Sequence, residues 1–370
     1  MQYDLTRRTS ESLTNSEPQS KKLTAMVGLD AFVDEIIRVV NKRISVDEFT
    51  TIERISDLGS RIAAAAGQSA NIELVVDRVK LGGNGPIMAN ALAALGPDVT
   101  CVGPLGEGTI HPAFAEIAER AKIVSLGDPC HTDALEFEDG KLMLGKIDPM
   151  KNVTWDRLVE RLGQDNLEGL FSKSSLVALV NWTMIPAMSA IWEKALELLE
   201  KTGAKGRFFF DLADPEKRDD SSVVTACRLI SQFQKYGPVT LGLNEKEAFR
   251  VAAALGYKGE GHGRANVRAV AGYIGKELPI ESVVVHPRAY AVAASAGEIT
   301  ADVDGPFTEN PLISTGAGDH FNAGFCLGKL LGLSDEQALT AAVGVSGYYV
   351  RNAASPTVPQ LAEFLKKQTE

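Results

Sequence analysis

The chain has 370 residues, of which 45% are hydrophobic and 23% charged, and its formal net charge is −10. The composition is typical of a globular enzyme, and the length allows two or three domains. The acidic balance and the lack of basic runs exclude a general nucleic-acid or membrane-surface binder. No run approaches 18 apolar residues, so the sequence predicts no membrane span.

The first 22 residues are polar and rich in Ser, Thr and Lys. Arg7 and Arg8 are not followed by the apolar stretch of a secretory signal. We therefore expect residues 1–22 to form a flexible or loosely docked arm, and a cytoplasmic domain to begin near Leu23. The four cysteines lie far apart, which favours buried thiols in a reducing compartment over a disulfide framework.

The next part of the chain mixes strand and helix patterns. Ser45 and Glu48 have the spacing of a capping box, which predicts a helix to about residue 66. Asp139-Gly140 is a strong hairpin signal. The patterns predict strands at 25–29, 72–80, 100–103, 131–138 and 141–147, a tight turn at 82–86, and helices at 87–95 and around 112–121.

From residue 176 onwards, short apolar strands alternate with helices. Strands are predicted at 176–180, 207–211, 239–243 and 282–285, and helices at 187–202, 221–236, 245–255, near 267–277, and at 317–332, 335–352 and 358–368. Continuously apolar strands between helices predict a parallel sheet covered on both faces. The alternating strands do not fit that layer. We therefore expect one α/β domain over 23–370, with lid strands inserted around 70–81 and 130–148.

The most informative stretch is a turn of small residues before an apolar helix, Ser314-Thr315-Gly316-Ala317-Gly318-Asp319. Free backbone amides at the start of a helix form an anion cradle. A carboxylate inside a cradle would repel a bound phosphate, unless it faces a hydroxyl that receives the phosphoryl group. The turn thus favours a phosphotransferase, although Asp in a first helical turn also complements the helix dipole, contributing about 0.3–1 kcal/mol.

This turn, with Phe321 and Gly324-Phe325, resembles the second signature of the PfkB (ribokinase-like) carbohydrate kinase family. The resemblance implies a three-layer α/β/α sandwich with a mostly parallel twisted sheet and a small β-sheet lid. It implies ATP-dependent phosphorylation of a sugar hydroxyl, with magnesium as cofactor and Asp319 as catalytic base. The amides of Gly316, Ala317 and Gly318 would form the anion hole, and Thr315 would contact the nucleotide.

Two further segments carry the resemblance. Gly82-Gly83-Asn84 is similar to the family's first signature, which holds the sugar, and an aspartate after the first strand would bind sugar hydroxyls. Asp34 fits the family spacing better, and Asp30 is the alternative. Plain structural roles remain open for these residues, as a strand-to-helix turn and as strand-end caps.

Asn244 and Glu247 follow the strand at 239–243 with the spacing of a capping box, which needs no function. The pair also matches the NxxE element of ribokinase-like kinases, at a strand end where α/β folds bind ligands. The resemblance implies that Asn244 contacts the nucleotide and that Glu247 holds magnesium through water.

The chain departs from the family at three places. Ser314 replaces an aspartate near the family's monovalent-cation site, so potassium dependence is left open, and Ile87 replaces an asparagine. His286-Pro287-Arg288 replaces a loop along the nucleotide phosphates, which makes His286 and Arg288 candidate replacements. By the same resemblance, the C-terminal helices with Asn352 border the adenine.

Three questions remain open from the sequence. The acceptor is a small sugar or, on the same fold, a nucleoside, and the donor is ATP or another nucleotide. A catalytically inactive ligand-binding or regulatory relative is the alternative outside enzymes. Lid strands of this fold pair between subunits, which suggests a homodimer by analogy.

Overall fold

The computed structural model describes residues 2–259 and 261–368. In that part of the chain, the strands are β1 (Thr24–Gly28), β2 (Phe32–Arg43), β3 (Phe49–Thr51), β4 (Leu74–Gly82), β5 (Asp98–Gly103), β6 (Lys122–Ser125), β7 (Cys130–Phe137), β8 (Gly140–Lys146), β9 (Leu176–Val180), β10 (Arg207–Asp211), β11 (Val239–Leu243), β12 (Ser282–Val285), β13 (Tyr290–Ser295) and β14 (Glu298–Asp304).

The helices of the same residues are α1 (Gln2–Ser20), α2 (Ile55–Ala64), α3 (Asn84–Ala94), α4 (Ala115–Ala118), α5 (Trp155–Leu162), α6 (Gln164–Lys173), α7 (Met188–Thr202), α8 (Asp220–Gln232), α9 (Glu245–Ala254), α10 (Arg264–Glu277), α11 (Ala317–Leu330), α12 (Asp335–Asn352) and α13 (Val358–Lys367). Among the described residues, no helix is both long and apolar enough to cross a bilayer.

The main sheet has the strand order β14-β13-β12-β11-β10-β9-β1-β5-β6. Its pairs are parallel from β12 to β6, while β13 and β14 extend it as antiparallel strands. Because the central strands are parallel, their carboxyl ends lie at one edge, where ligands bind in such sheets. The residues that follow these strands are therefore the first place to look for a site.

Both faces of the main sheet are buried. In β10, Phe208 and Phe210 pack with α5 to α10, while Phe209 points to the opposite face and packs with α1, α3, α11, α12 and α13. Successive side chains of a strand alternate between faces, so a run of three phenylalanines supplies both cores. The three-layer α/β/α sandwich expected from the family resemblance is present.

The second sheet stands apart from the main sheet. Its order is β3-β2-β7-β8, and β4 pairs with the other edge of β2. We call these five strands the lid. The predicted lid strands appear as β4, β7 and β8, but β2 and β3 were not predicted. The exposed lid strands carry Leu74, Val76, Val79, Met143 and Leu144; a dimer through the lid remains a prediction.

The chain before Leu23 differs from the flexible or loosely docked arm that its polarity suggested. It forms α1, whose buried face consists of Thr6, Thr9, Ser10 and Leu13 at helical spacing. The Thr9 hydroxyl of that face donates to the Leu5 carbonyl at 2.8 Å, and the Ser10 hydroxyl donates to the Ala362 carbonyl at 2.7 Å. A helix that buries hydroxyls lacks the apolar stripe by which a sequence reveals an amphipathic helix.

One other local prediction was wrong, and a second agrees with the structure only in part. Ser45 Oγ does accept from the Glu48 amide at 3.1 Å, as in a capping box, but the bond closes the turn between β2 and β3. The helix begins only at Ile55. The helix expected around 112–121 is a 3-10 turn, Pro112–Phe114, followed by the four-residue α4.

Candidate active site

The turn at residues 314–319, called here the glycine turn, leads into α11 at the carboxyl edge of the main sheet. Gly316 caps the helix with φ of 89°, a left-handed conformation that side chains disfavour. The Ala317 amide donates to the Ser314 carbonyl at 3.2 Å, and so closes the turn. Within the described residues, the amides of Gly316, Gly318 and Asp319 have no such backbone partner and are free to bind an anion.

Two cavities meet at the glycine turn. The lid-side cavity, of about 550 Å³, lies between the main sheet and the lid and includes Gly316 and Asp319 in its lining. The α12-side cavity, of about 620 Å³, is lined by α12 and by Ala317 and Gly318 of the turn. Thr315 lines both cavities. The turn is therefore the wall between two ligand-sized spaces.

Asp319 is buried in the first turn of α11, where its Oδ1 accepts from Asn84 Nδ2 at 2.9 Å. Burial raises the pKa of this carboxyl well above its usual range, and the charges of Asp211 and Asp30 raise it further. The hydrogen bond from Asn84 opposes that rise. A carboxylate with a raised pKa is a stronger base than a solvated one, which suits proton abstraction from a hydroxyl.

Asp30 holds the turn that begins α3. Its carboxylate accepts from the amides of Asn84 at 2.9 Å and Gly85 at 2.7 Å. It also accepts from Asn181 Nδ2 at 2.7 Å. Asp30 is completely buried and is not part of the lid-side cavity lining. Of the two aspartates proposed for sugar binding, Asp30 is thus occupied in holding the backbone of Asn84 and Gly85.

Asp34 lies on β2 and lines the lid-side cavity together with Gly83 and Asn84. Burial raises the pKa of its carboxyl, and the nearby Lys80 ammonium opposes the rise. Gly82 lies directly behind it, since a Cβ at Gly82 would approach the Asp34 carboxyl group to 2.6 Å. The double glycine therefore makes room for the carboxylate on the neighbouring strand.

Three other polar residues of the lid-side cavity were not predicted from the sequence: Thr132 on the lid, Asn181 after β9 and Lys217 after β10. Asn181 has φ of 61° and ties its loop to Asp30. A signal for it existed, because Asn181 follows a buried parallel strand at its carboxyl end. Ile87, which replaces the family's asparagine, lies in van der Waals reach of Gly316 and lines the same cavity.

The α12-side cavity contains the residues that depart most from the family. His286 and Arg288 line it, opposite Ser346, Gly347 and Val350 of α12. The His286 ring lies 4.7 Å from the Phe321 ring and against Gly318. Part of the ring faces the cavity, but the surrounding protein lowers its pKa to about 4, so the imidazole is neutral at pH 7.

Asn352, by contrast, is exposed, and its side chain donates to the Tyr348 carbonyl at 2.8 Å. It is not among the residues that line the α12-side cavity. The α12 residues that do line this cavity lie earlier in the helix: Val343, Ser346, Gly347 and Val350.

Asn244 and Glu247 form the predicted capping box at the start of α9. The Asn244 amide donates to Glu247 Oε2 at 2.9 Å, and the Asp214 amide donates to Oε1 at 3.0 Å. Neither side chain lines either of the two cavities. Asn244 and Glu247 thus act first as a local cap, behind the loop that follows β10.

Glu247 and Asp211 are both buried carboxyl groups, and the charge of Glu247 acts on Asp211. Burial raises the pKa of Glu247. Burial also raises the pKa of Asp211 well above its usual range, and the negative charge of Glu247 raises it further. Both Glu247 oxygens are occupied by amides, and the described residues contain no group of three His, Cys, Asp or Glu side chains placed to hold a metal directly. Magnesium commonly keeps several waters, and a contact with Glu247 through water stays a prediction.

Comparison with known proteins now decides the family. The family model of prokaryotic ketohexokinases matches residues 4–368. The chain belongs to this family. A ketohexokinase from Haloferax volcanii is 28% identical over 344 residues, which are 92% of this chain and 90% of the relative. This member of the ketohexokinase family is therefore a sugar kinase, as the PfkB-like motifs predicted.

Solved structures with low sequence identity share the fold. Arabidopsis thaliana ribokinase, complexed with ribose and ATP, superposes with a TM-score of 0.62 at 16% identity, covering 93% of this chain and 98% of that one. A mutant of Escherichia coli phosphofructokinase-2 gives 0.62 at 14% identity, covering 94% and 99%. A Methanocaldococcus jannaschii nucleoside kinase gives 0.58 at 13% identity, covering 93% and 98%. The ribokinase-like fold class is thereby confirmed.

Proposed function

We propose that the protein transfers the γ-phosphoryl group of ATP to a hydroxyl of a ketohexose. The family match and the Haloferax relative, named a ketohexokinase, support this choice of acceptor. The lid-side cavity supports it chemically, because it carries Asp34, Asn84, Thr132 and Asn181 as hydrogen-bonding partners for a polyhydroxylated ligand. The α12-side cavity would hold the nucleotide.

One observation carries the proposal: Thr315 lines both cavities, with Asp319 on the lid side of the turn and Gly318 on the other. An acceptor hydroxyl beside Asp319 and a phosphate chain beside Gly318 are therefore separated only by the glycine turn. Phosphoryl transfer requires the acceptor oxygen to reach the γ-phosphorus directly, in line with the leaving oxygen, and two cavities that meet at one short turn support such an approach.

In the proposed step, the sugar oxygen forms a bond to the γ-phosphorus while the bond to the oxygen bridging to the β-phosphate breaks. Asp319 takes the hydroxyl proton, and ADP leaves with the bridging oxygen. The transition state is loose, so positioning and charge stabilisation outweigh the strength of the base. Asn84, hydrogen-bonded to Asp319 Oδ1, would keep the second carboxylate oxygen directed at the hydroxyl.

The amides that are free at the start of α11 would receive charge from the transferring phosphoryl group. These are the amides of Gly316, Gly318 and Asp319; that of Ala317 is shared with the Ser314 carbonyl. In the proposed anion hole, the amide of Asp319 thus takes the place that the family resemblance implied for the amide of Ala317, while Gly316 and Gly318 keep theirs. Preorganised amides of this kind are worth about 10²–10³ in rate when one is removed.

Other residues would bind rather than react. Asp34 would accept bonds from sugar hydroxyls, and His286 and Arg288 would lie along the nucleotide. Glu247 would hold magnesium through water, with Asn244 fixing the Glu247 cap. Magnesium, when bound with ATP, supplies charge neutralisation at the phosphates.

The test is ADP release from magnesium-ATP across ketohexoses, aldohexoses and nucleosides, with wild-type protein and Asp319→Asn. We expect turnover with a ketohexose such as D-fructose, and at least a 10²-fold lower kcat in the variant, the lower end for loss of a general base. A nucleoside that is phosphorylated in preference to every ketohexose would overturn the acceptor. Near-normal turnover of Asp319→Asn would overturn the assigned base.

A further inference from the structure

The residue after the catalytic aspartate has an unusual set of contacts. His320 is buried, and its Nδ1 lies 2.8 Å from the Gly316 carbonyl oxygen. Its Nε2 lies 2.8 Å from the Ser355 hydroxyl, beyond the end of α12. The ring therefore connects the helix cap of the glycine turn to a segment 35 residues further along the chain.

The contacts define the tautomer of His320. A carbonyl oxygen only accepts, so Nδ1 must carry the proton that it donates to Gly316. Burial lowers the pKa of the imidazole to about 4, so Nε2 is unprotonated at neutral pH and accepts from the Ser355 hydroxyl. Both ring nitrogens are thus hydrogen-bonded, Nδ1 as a donor and Nε2 as an acceptor. These two bonds fix the orientation of the ring.

Tyr349 reinforces the same turn from α12. Its ring stacks on His320 with centroids 3.6 Å apart and an interplanar angle of 15°. Its hydroxyl donates to the Thr315 carbonyl at 2.9 Å. Two consecutive carbonyls of the glycine turn, at Thr315 and Gly316, are therefore held by side chains from behind.

We propose that His320, Tyr349 and Ser355 form a clamp that positions the glycine turn for phosphoryl transfer. The inference rests on the proposed function. Holding the two carbonyls fixes the peptide planes of the turn, and with them the direction of the free amides at the start of α11. A displacement of about 1 Å in such groups lowers rates by about 10²-fold. The three residues are positioning residues, because none of them lines the lid-side cavity.

The clamp also links the turn to the helix that lines the α12-side cavity. Tyr349 lies between Gly347 and Val350, which are both in that lining. Ser355 follows Ala353, whose φ of 50° ends α12 in a left-handed turn. The wall of the nucleotide cavity and the anion site are therefore parts of one hydrogen-bonded unit.

The structure itself suggests a conservative replacement for His320. Asn166, Asn266 and Asn352 each donate from Nδ2 to the carbonyl four residues earlier at 2.8 Å. An asparagine at position 320 can make the same bond to Gly316. His320→Asn should therefore keep the bond to the turn while losing the ring stack and the bond to Ser355.

The experiment measures kcat, sugar KM, and sugar affinity without nucleotide in four variants. We expect His320→Phe, which keeps a ring but no hydrogen bond, to lower kcat by about 10²-fold, and Tyr349→Phe by about tenfold. His320→Asn should recover kcat to within about fivefold of wild type, and Ser355→Ala should lie in the same range. Sugar affinity in the absence of ATP should change by less than about twofold in all four.

Two controls separate positioning from loss of stability. Tyr348→Phe removes the neighbouring hydroxyl on α12, and Ile230→Ala weakens the core on the opposite face of the sheet. Both should keep kcat, although Ile230→Ala should lower Tm. The clamp is refuted if His320→Phe keeps kcat while Asp319→Asn loses it, or if His320→Asn is as impaired as His320→Phe. Retention of activity by Asp319→Asn would instead refute the proposed base and leave the clamp variants to be judged on kcat alone.

Discussion

Asn84 Nδ2 donates to Oδ1 of Asp319 at 2.9 Å, and this bond joins the first residue of α3 to the first turn of α11. The backbone amide of the same asparagine donates to Asp30. The buried Asp30 carboxylate thus holds the backbone of Asn84, and the Asn84 side chain in turn orients the carboxylate of Asp319. The arrangement joins the double-glycine turn to the glycine turn through two residues that are 235 positions apart in the chain.

Replacement of Asn84 by alanine should leave less of the Asp319 carboxyl ionised at pH 7, without moving the turn. The bond to Asp319 lowers the pKa of that carboxyl against the effect of burial, so its loss raises the pKa. We expect kcat at pH 7 to fall by at least about tenfold, and the acid limb of the kcat profile to move to higher pH. Steady-state rates from pH 5 to 9 measure both effects.

Asn90→Ala provides the matched control for that variant. Asn90 is on the same helix and also buried, but its amide donates to Glu116 at 3.2 Å, away from the cavities. It should leave the acid limb unchanged. Equal shifts in the two profiles would show that α3, rather than the bond to Asp319, sets the pH dependence.

The two aspartates after β1 should respond to substitution in opposite ways. Asp30 accepts three hydrogen bonds, and an asparagine would turn an NH₂ group towards one of the donors. Asp30→Asn should therefore lower the free energy of unfolding by about 1–3 kcal/mol. Asp34→Asn should raise sugar KM by about tenfold or more with little change in stability, since a charge-assisted bond is worth about 1.5–3 kcal/mol. Denaturant melts and kinetics on both proteins decide; the reverse pattern would make Asp30 the sugar ligand.

The N-terminal helix should contribute to stability despite its polar composition. Leu13 of α1 is completely buried in the core that covers one face of the main sheet. Leu13→Ala should lower the free energy of unfolding by about 2–5 kcal/mol, because it leaves a cavity. Tyr3→Ala, at a side chain that is 69% exposed, should stay within about 0.5 kcal/mol. Equal stability of the two variants in chemical denaturation would mean that α1 detaches before the domain unfolds.

The free energy of unfolding should depend on pH through the buried carboxyl group of Asp211. Burial raises the folded-state pKa of this carboxyl well above its usual range, so Asp211 favours folding below the unfolded-state value near 3.8 and loses that contribution as pH rises. Asp211→Asn removes the titration. Asn322 can rotate its amide to accept from the new NH₂ group, since its Oδ1 has no hydrogen-bond partner among the described residues. We expect the Tm of the variant to rise relative to wild type between pH 5 and 8, by at least about 1 °C. A Tm difference that is constant with pH would contradict the raised pKa.

The buried parallel strands were the most predictable part of the fold. Strands β9 to β12 have the predicted bounds, because each contains a largely apolar run whose two faces are both covered. The edge strands β13 and β14 and the long strand β2 were missed. Their sequences are mixed, and their pairing partners lie outside any local window.

The candidate site was predictable where a motif carries it and not elsewhere. The glycine turn and the double-glycine turn were found from their small residues, and the structure brings them together. The choice between Asp30 and Asp34 depended on which carboxylate the amides of residues 84 and 85 would occupy. His320 and Tyr349 could not be paired in advance, since neither has a local pattern, and only packing of α12 beside α11 makes them stack.

The glycine turn has a consequence for the order of events during turnover. The lid-side and α12-side cavities share Thr315 and no other lining residue. Because the two cavities are otherwise lined separately, we expect neither substrate to block the entry of the other and neither product to cover the exit of the other. The enzyme should therefore follow a random sequential scheme, in which a nucleotide and a phosphorylated sugar also form a dead-end ternary complex. Product-inhibition kinetics would therefore test whether the glycine turn, which is six residues long, separates the two binding sites.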